Sequence, residues 1–128
     1  MYTVQITEQE VQDMRNFISL LNYQVNSAVI VEGKRDSKAL KKLGFSGTVL
    51  EFHKFGGMIK FVDSVAKYDR LIMLLDGDRK GKYLTGKIIE QLKHRTKVDL
   101  SFKRRLVGIT RGKIRFTEQL VCYESLFS

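Results

Sequence analysis

Residues 71–75 are apolar without interruption and run directly into Asp76-Gly77-Asp78, followed by Arg79, Lys80 and Lys82. Two carboxylates one residue apart disfavour each other's ionised form unless an opposite charge lies between them. A hard divalent cation removes that repulsion. A second acidic loop has the same form, since the apolar run 28–31 closes on Glu32-Gly33-Lys34-Arg35-Asp36. Glu32, Asp76 and Asp78, with Asp36 as a fourth candidate, make an all-oxygen set with no Cys or His beside them in sequence, which selects Mg²⁺ or Mn²⁺. Gly77 is expected to supply the sharp turn that lets both aspartates reach one ion. A plainer reading stands beside this one: Asp-Gly is a common turn signal, and Asp78 is of the right type to cap a following helix.

For these loops to meet, the elements before them must be parallel strands. Residues 28–31 (AVIV), 48–52, 71–75 and 98–102 read as four strands. Between them, helical spacing runs from Asp36 to residue 43, over residues 58–67 with Ile59, Phe61, Val62 and Val65 inward, and over residues 83–94 with Leu84, Ile88, Ile89 and Leu92 inward. Gly44 suits a left-handed helix cap and Phe55-Gly56-Gly57 a loop. A first helix over about residues 7–23 opens with a capping box of Thr7 and Glu10. The alternation of strand and helix gives an α/β fold with a central, mainly parallel sheet of about four strands and helices on both faces. In such sheets the loops leaving the C-terminal strand ends gather on one rim, where ligands bind, so Glu32, Asp76 and Asp78 are expected to converge there. The tail after residue 102 suggests a short helix, a strand at 113–116 and a helical turn from Thr117.

Charge points to the partner. Lys and Arg total 23 against 14 Asp and Glu, and from Arg79 to Arg115 thirteen basic residues face only Glu90 and Asp99. Such a field is suited to a polyphosphate, through counterion release. Arg79 and Lys80 follow the aspartates onto the rim, and Lys103, Arg104, Arg105, Arg111 and Lys113 extend the basic surface for backbone contacts with nucleic acid. His53 shares the rim through its loop. Phe102, Phe116 and Tyr83 are candidates for base stacking, with core packing the commoner use of such residues. The glycine-lysine spacings at 77–82 and 81–88 fail as P-loops: one is a residue short, and the other ends in Ile88 where Ser or Thr is required.

Other classes are set aside. The longest apolar run falls far short of the roughly 20 residues of a membrane span, and the N-terminus lacks the pattern of a signal peptide, so a cytoplasmic protein without membrane partners is expected. The lone Cys122 makes neither an internal disulfide nor a zinc site. Without a proline, linker or repeat, residues 1–128 read as a single domain: an N-terminal helix (6–24), a core (27–100) and a basic C-terminal extension (101–128).

Val31-Glu32-Gly33-Lys34-Arg35-Asp36 and, further on, Leu75-Asp76-Gly77-Asp78-Arg79-Lys80-Gly81 resemble the Toprim domain shared by topoisomerases, bacterial-type primases, old-family nucleases and the ribonuclease that matures 5S ribosomal RNA. In size and wording they are most similar to the small stand-alone Toprim proteins of archaea. The resemblance implies a three-layer, Rossmann-like Toprim fold. It further implies that Glu32 acts as general acid or base and shares a metal, that Asp76 and Asp78 coordinate Mg²⁺, and that Lys34 contacts phosphate or assists catalysis. Arg35 joins Lys34 as a phosphate-binding candidate. No tyrosine has the context of a topoisomerase nucleophile, and no zinc ligands of a primase are present, so the expected activity is nuclease-like hydrolysis of RNA or DNA, including RNA processing. The rival readings are a non-catalytic, metal-assisted nucleic-acid-binding module, acting as a homodimer or as a subunit of a larger complex, and an enzyme of small phosphorylated molecules.

Overall fold

In the computed structural model, which describes residues 6–112 and 117–126, Thr7 is extended and its Oγ1 accepts the Glu10 N–H at 3.1 Å. That cap starts α1 (Glu8–Asn22), whose residues Met14, Phe17, Ile18 and Leu21 are buried along one stripe. The chain then runs β1 (Ser27–Val31), α2 (Lys34–Lys42), β2 (Val49–Glu51), a 3₁₀ turn (Phe52–Phe55), α3 (Met58–Val65) and β3 (Arg70–Met73). After these come α4 (Arg79–Leu92), β4 (Lys97–Asp99), α5 (Ser101–Thr110) and a 3₁₀ stretch (Thr117–Leu126).

All four strands are parallel, in the order β2-β1-β3-β4. Alternate residues feed two cores. Val29, Val31, Ile72 and Leu74 pack with α1, α2, α5 and the C-terminal stretch, whereas Ala28, Ile30, Leu71, Met73 and Leu75 pack with α3 and α4. Burial on both faces is why β1 and β3 read as unbroken apolar runs. The chain moves one way from β1 to β2 and the other way from β2 through β3 to β4. Right-handed crossovers therefore put α2 on one face and α3 and α4 on the other. The first core is joined by Phe17 and Phe102, whose rings meet edge to face at 5.8 Å, a contact worth about 0.5–1.5 kcal/mol beyond its buried area. Among the described residues no helix is long and apolar enough to cross a membrane.

Several boundaries differ from the sequence expectation, mostly because polar side chains cap helices. α2 starts at Lys34 rather than Asp36, since Asp36 sits in the first turn and its Oδ2 accepts the Gly33 N–H at 3.0 Å. α4 starts at Arg79 rather than residue 83, behind Asp78 as N-cap. The fourth strand ends at Asp99, whose Oδ1 accepts the Ser101 N–H at 2.7 Å and turns the chain into α5. Phe102 therefore lies on a helix, 8% exposed, and is closed to base stacking. The second strand stops at Glu51, where the chain winds into the 3₁₀ turn, and the third pairs only through Met73 although Leu74 and Leu75 remain buried. Ile59, expected inward, is 80% exposed, because α3 packs through Phe61, Val62 and Val65. Gly44 does take the left-handed cap at φ 103°, with the Phe45 N–H reaching the Leu40 carbonyl at 3.1 Å. Lys113, Phe116 and the strand expected at 113–116 lie outside the described residues.

Candidate metal and phosphate site

β1 and β3 are neighbours whose following helices lie on opposite faces, so the strand order reverses between their C-terminal ends. A crevice opens at such a switch point, and ligands of parallel α/β sheets bind there. Ile30 is paired with Met73, which brings Glu32 and Asp76 to this point from adjacent strand ends.

The two carboxyl groups share a hydrogen bond. Burial first, and then Asp76, hold the Glu32 carboxyl above the ordinary glutamate range. Lys80 opposes the shift, its Nζ lying 3.3 Å from Glu32 Oε1. Lys80 is largely exposed, so its countercharge is screened by water and does not cancel the other two effects. Without a cation the Glu32 carboxyl thus ionises less readily than an ordinary glutamate.

Asp78 has a different employment. Its Oδ1 accepts the Gly81 N–H at 2.7 Å, capping α4. The chain does bend at Gly77 and Asp78, but Gly77 is not among the positive-φ glycines, so the bend does not require the left-handed region. The demand for glycine falls instead on Gly81, where a Cβ would lie 2.0 Å from the Asp76 carbonyl oxygen. The first turn of α4 thus rests directly on the Asp76 backbone and fixes where that residue can be. Gly33 does the same for the other strand end: a Cβ there would lie 2.8 Å from His53 Nε2, and the His53 N–H donates to the Glu32 carbonyl at 3.3 Å. His53 is therefore packed beside Glu32, on the rim.

Lys103 is the group whose place the sequence concealed. α5 folds it toward the carboxylates, where it interacts with Asp76, Asp36 and Asp78. Burial lowers its pKa, and the three carboxylates oppose that shift. The other basic candidates divide. Lys34 and Arg35 open α2 and Arg79 opens α4, all exposed at helix N-termini on the rim, where backbone N–H groups add to the attraction for anions. Arg104 lines the same cavity as Asp76 and Lys103. Arg105 instead lines a groove with Asp13 and Asn16 of α1, and Arg111, exposed, ends α5 at φ 54°.

Among the described residues no three His, Cys, Asp or Glu side chains form a ready metal cage. The Glu32–Asp76 pair still fits Mg²⁺ or Mn²⁺, because ions of this kind are held by one or two carboxylates completed by water and substrate phosphate. Its hard oxygen donors and their apposition, which Lys80 and Lys103 offset only in part, are what such a cation compensates.

The fold is thus a parallel α/β sheet with an acidic pair at its switch point and an Asp-capped helix, α4, behind it. The chain belongs to the Toprim family, the Toprim domain matching residues 27–111. It is 37% identical over 97 residues to a UPF0292 protein of Methanocaldococcus jannaschii, covering 74% of this chain and 76% of that one. A UPF0292 protein of Thermococcus sibiricus is 30% identical over 114 residues, covering 88% and 83%. Among solved structures, a putative protein from Aquifex aeolicus superposes with a TM-score of 0.67 at 26% identity, over 81% of this chain and 94% of that one.

Proposed function

We propose that the protein hydrolyses phosphodiester bonds of RNA or DNA with Mg²⁺ or Mn²⁺ held by Glu32 and Asp76. The supporting observation is the apposition of these two carboxyl groups at the switch point of the sheet. A divalent cation bound there would supply an activated water and offset charge on the phosphate. Glu32 would share the cation as a carboxylate or, where Asp76 holds the cation without it, hold and return a proton near the scissile bond. Asp76 remains the metal anchor. Asp78 contributes chiefly by fixing α4 and through it Asp76, with its second oxygen available to a metal-bound water. Lys34, Arg35, Arg79 and Lys80 bind phosphate on the rim, and Lys103 and Arg104 continue that surface along α5.

One observation favours a second reading, a metal-assisted nucleic-acid-binding module without catalysis: Asp78 is engaged as a cap, and Lys80 and Lys103 already supply positive charge to the cluster. Incubating the protein with structured RNA, single-stranded DNA and duplex DNA separates the two. Products that need Mg²⁺ or Mn²⁺ and vanish in Glu32→Gln establish the hydrolase. Retained binding with no products on any of the three substrates establishes the binding module.

A further inference from the structure

Between α4 and α5, against the Asp76 backbone, lies a cavity of about 430 Å³. Met73 and Leu75 from the end of β3, Leu100 before α5 and Val107 on α5 give it apolar walls. Lys82, Lys103 and Arg104 stand among them, and Asp76 and Gly77 form the side toward the metal and phosphate site. The volume is at the lower end of the range for small-molecule sites, roughly 300–1,000 Å³, and is too small for a duplex or a helix. A bare phosphate would leave the apolar walls unused, and a purely apolar ligand would make no use of Lys82 and Arg104. A flat aromatic ring joined to an anion uses both, and a guanidinium plane such as that of Arg104 can stack on the ring.

We propose that this cavity is a nucleobase pocket, seating one unpaired base of a nucleic-acid strand while the adjoining phosphate lies at Asp76. The inference deepens the phosphodiester reading and rests on it for the substrate class. It restricts the substrate to single strands, loops and frayed ends, because a base inside a duplex must first be unstacked at a cost of a few kcal/mol. Walls that are mostly apolar offer few hydrogen bonds to a base edge, so the pocket accepts bases with little regard to sequence.

The test compares AMP, ribose 5-phosphate and inorganic phosphate by calorimetric titration of the whole chain in Mg²⁺. The same titrations are run on Val107→Trp. Val107 is 44% exposed, so an indole there can fill the cavity mouth without entering the core. Val107→Glu serves as the second variant should the first melt early. AMP is expected to bind about tenfold more tightly than ribose 5-phosphate, the scale of one stacked base. Val107→Trp should bring AMP down to the level of ribose 5-phosphate while leaving Mn²⁺ affinity unchanged. Equal binding of AMP and ribose 5-phosphate by the wild type, or undiminished AMP binding in the folded variants, overturns the pocket. Nuclease assays run alongside keep the two ideas apart. Metal-dependent cleavage with AMP and ribose 5-phosphate bound equally removes the pocket alone, and tighter AMP binding without metal-dependent cleavage removes the hydrolase alone.

Discussion

Glu32 and Asp76 leave the C-terminal ends of two adjacent parallel strands and share a hydrogen bond between their carboxyl groups. The fold thus holds together two groups that repel each other once both are ionised, and the consequences can be measured.

Glu32→Gln should stabilise the metal-free protein near neutral pH. The Glu32 pKa is raised in the fold, so the favourable contribution of its protonated form is complete below the ordinary glutamate range and is lost as pH climbs through the folded value. A neutral amide escapes that loss. Thermal melts at pH 7 should show the variant higher by about 1–3 °C, a small shift because solvent still reaches the carboxyl, with the gap closing toward pH 4. Excess Mg²⁺ should reverse the order by binding the wild-type fold. A wild type that melts higher without metal at pH 7 contradicts the account.

Gly81→Ala and Gly86→Ala should move stability in opposite directions, although both lie in α4. A methyl at 81 would collide with the Asp76 carbonyl, whereas one at 86 meets nothing within 4 Å. Urea unfolding should show a loss of more than about 3 kcal/mol for the first and a gain of up to about 1 kcal/mol for the second. If Gly81→Ala unfolds like wild type, α4 does not rest on Asp76.

Substitutions at Asp78 should track helix capping. Asn caps as well as Asp, so Asp78→Asn should fold with near wild-type stability, while Asp78→Ala should lose about 1 kcal/mol in the same assay. Equal losses in the two variants would point away from the Gly81 hydrogen bond.

The strands β1 and β3, both acidic loops and the parallel sheet were legible because a strand buried on both faces leaves an unbroken apolar run that ends where its loop begins. Helix starts were not. Asp36, Asp78 and Asp99 each act on a backbone N–H two or three residues away, and a carboxylate beside a glycine looks the same in sequence whether it caps a helix or awaits a metal. In sequence Lys103 belongs to a basic run, and a strand over residues 98–102 leaves no helix to carry it toward the acidic loops. Asp99 accepts the Ser101 N–H and turns the chain, so that α5 begins at Ser101 behind Leu100 and carries Lys103 toward Asp76. Gly81 left no signal, since its need arises from contact with another loop rather than from its own backbone angles.

Removing basic side chains should sort them by position. Lys34→Ala should lower the steepness of log affinity against log salt for single-stranded nucleic acid by about one unit. Arg105→Ala should leave that slope unchanged, because Arg105 lines a groove with α1. Equal effects in filter-binding titrations over a salt series would mean that the basic surface acts without regard to the rim.

The most direct measurement is Mn²⁺ binding, followed by electron paramagnetic resonance, in the wild type, Glu32→Gln, Asp76→Asn and the double variant. If the two carboxyls share one ion, a single site should weaken in each single variant, and the double variant should lose less than the sum of the two. Unchanged Mn²⁺ binding in both single variants, with the fold intact, would show that the pair holds no metal.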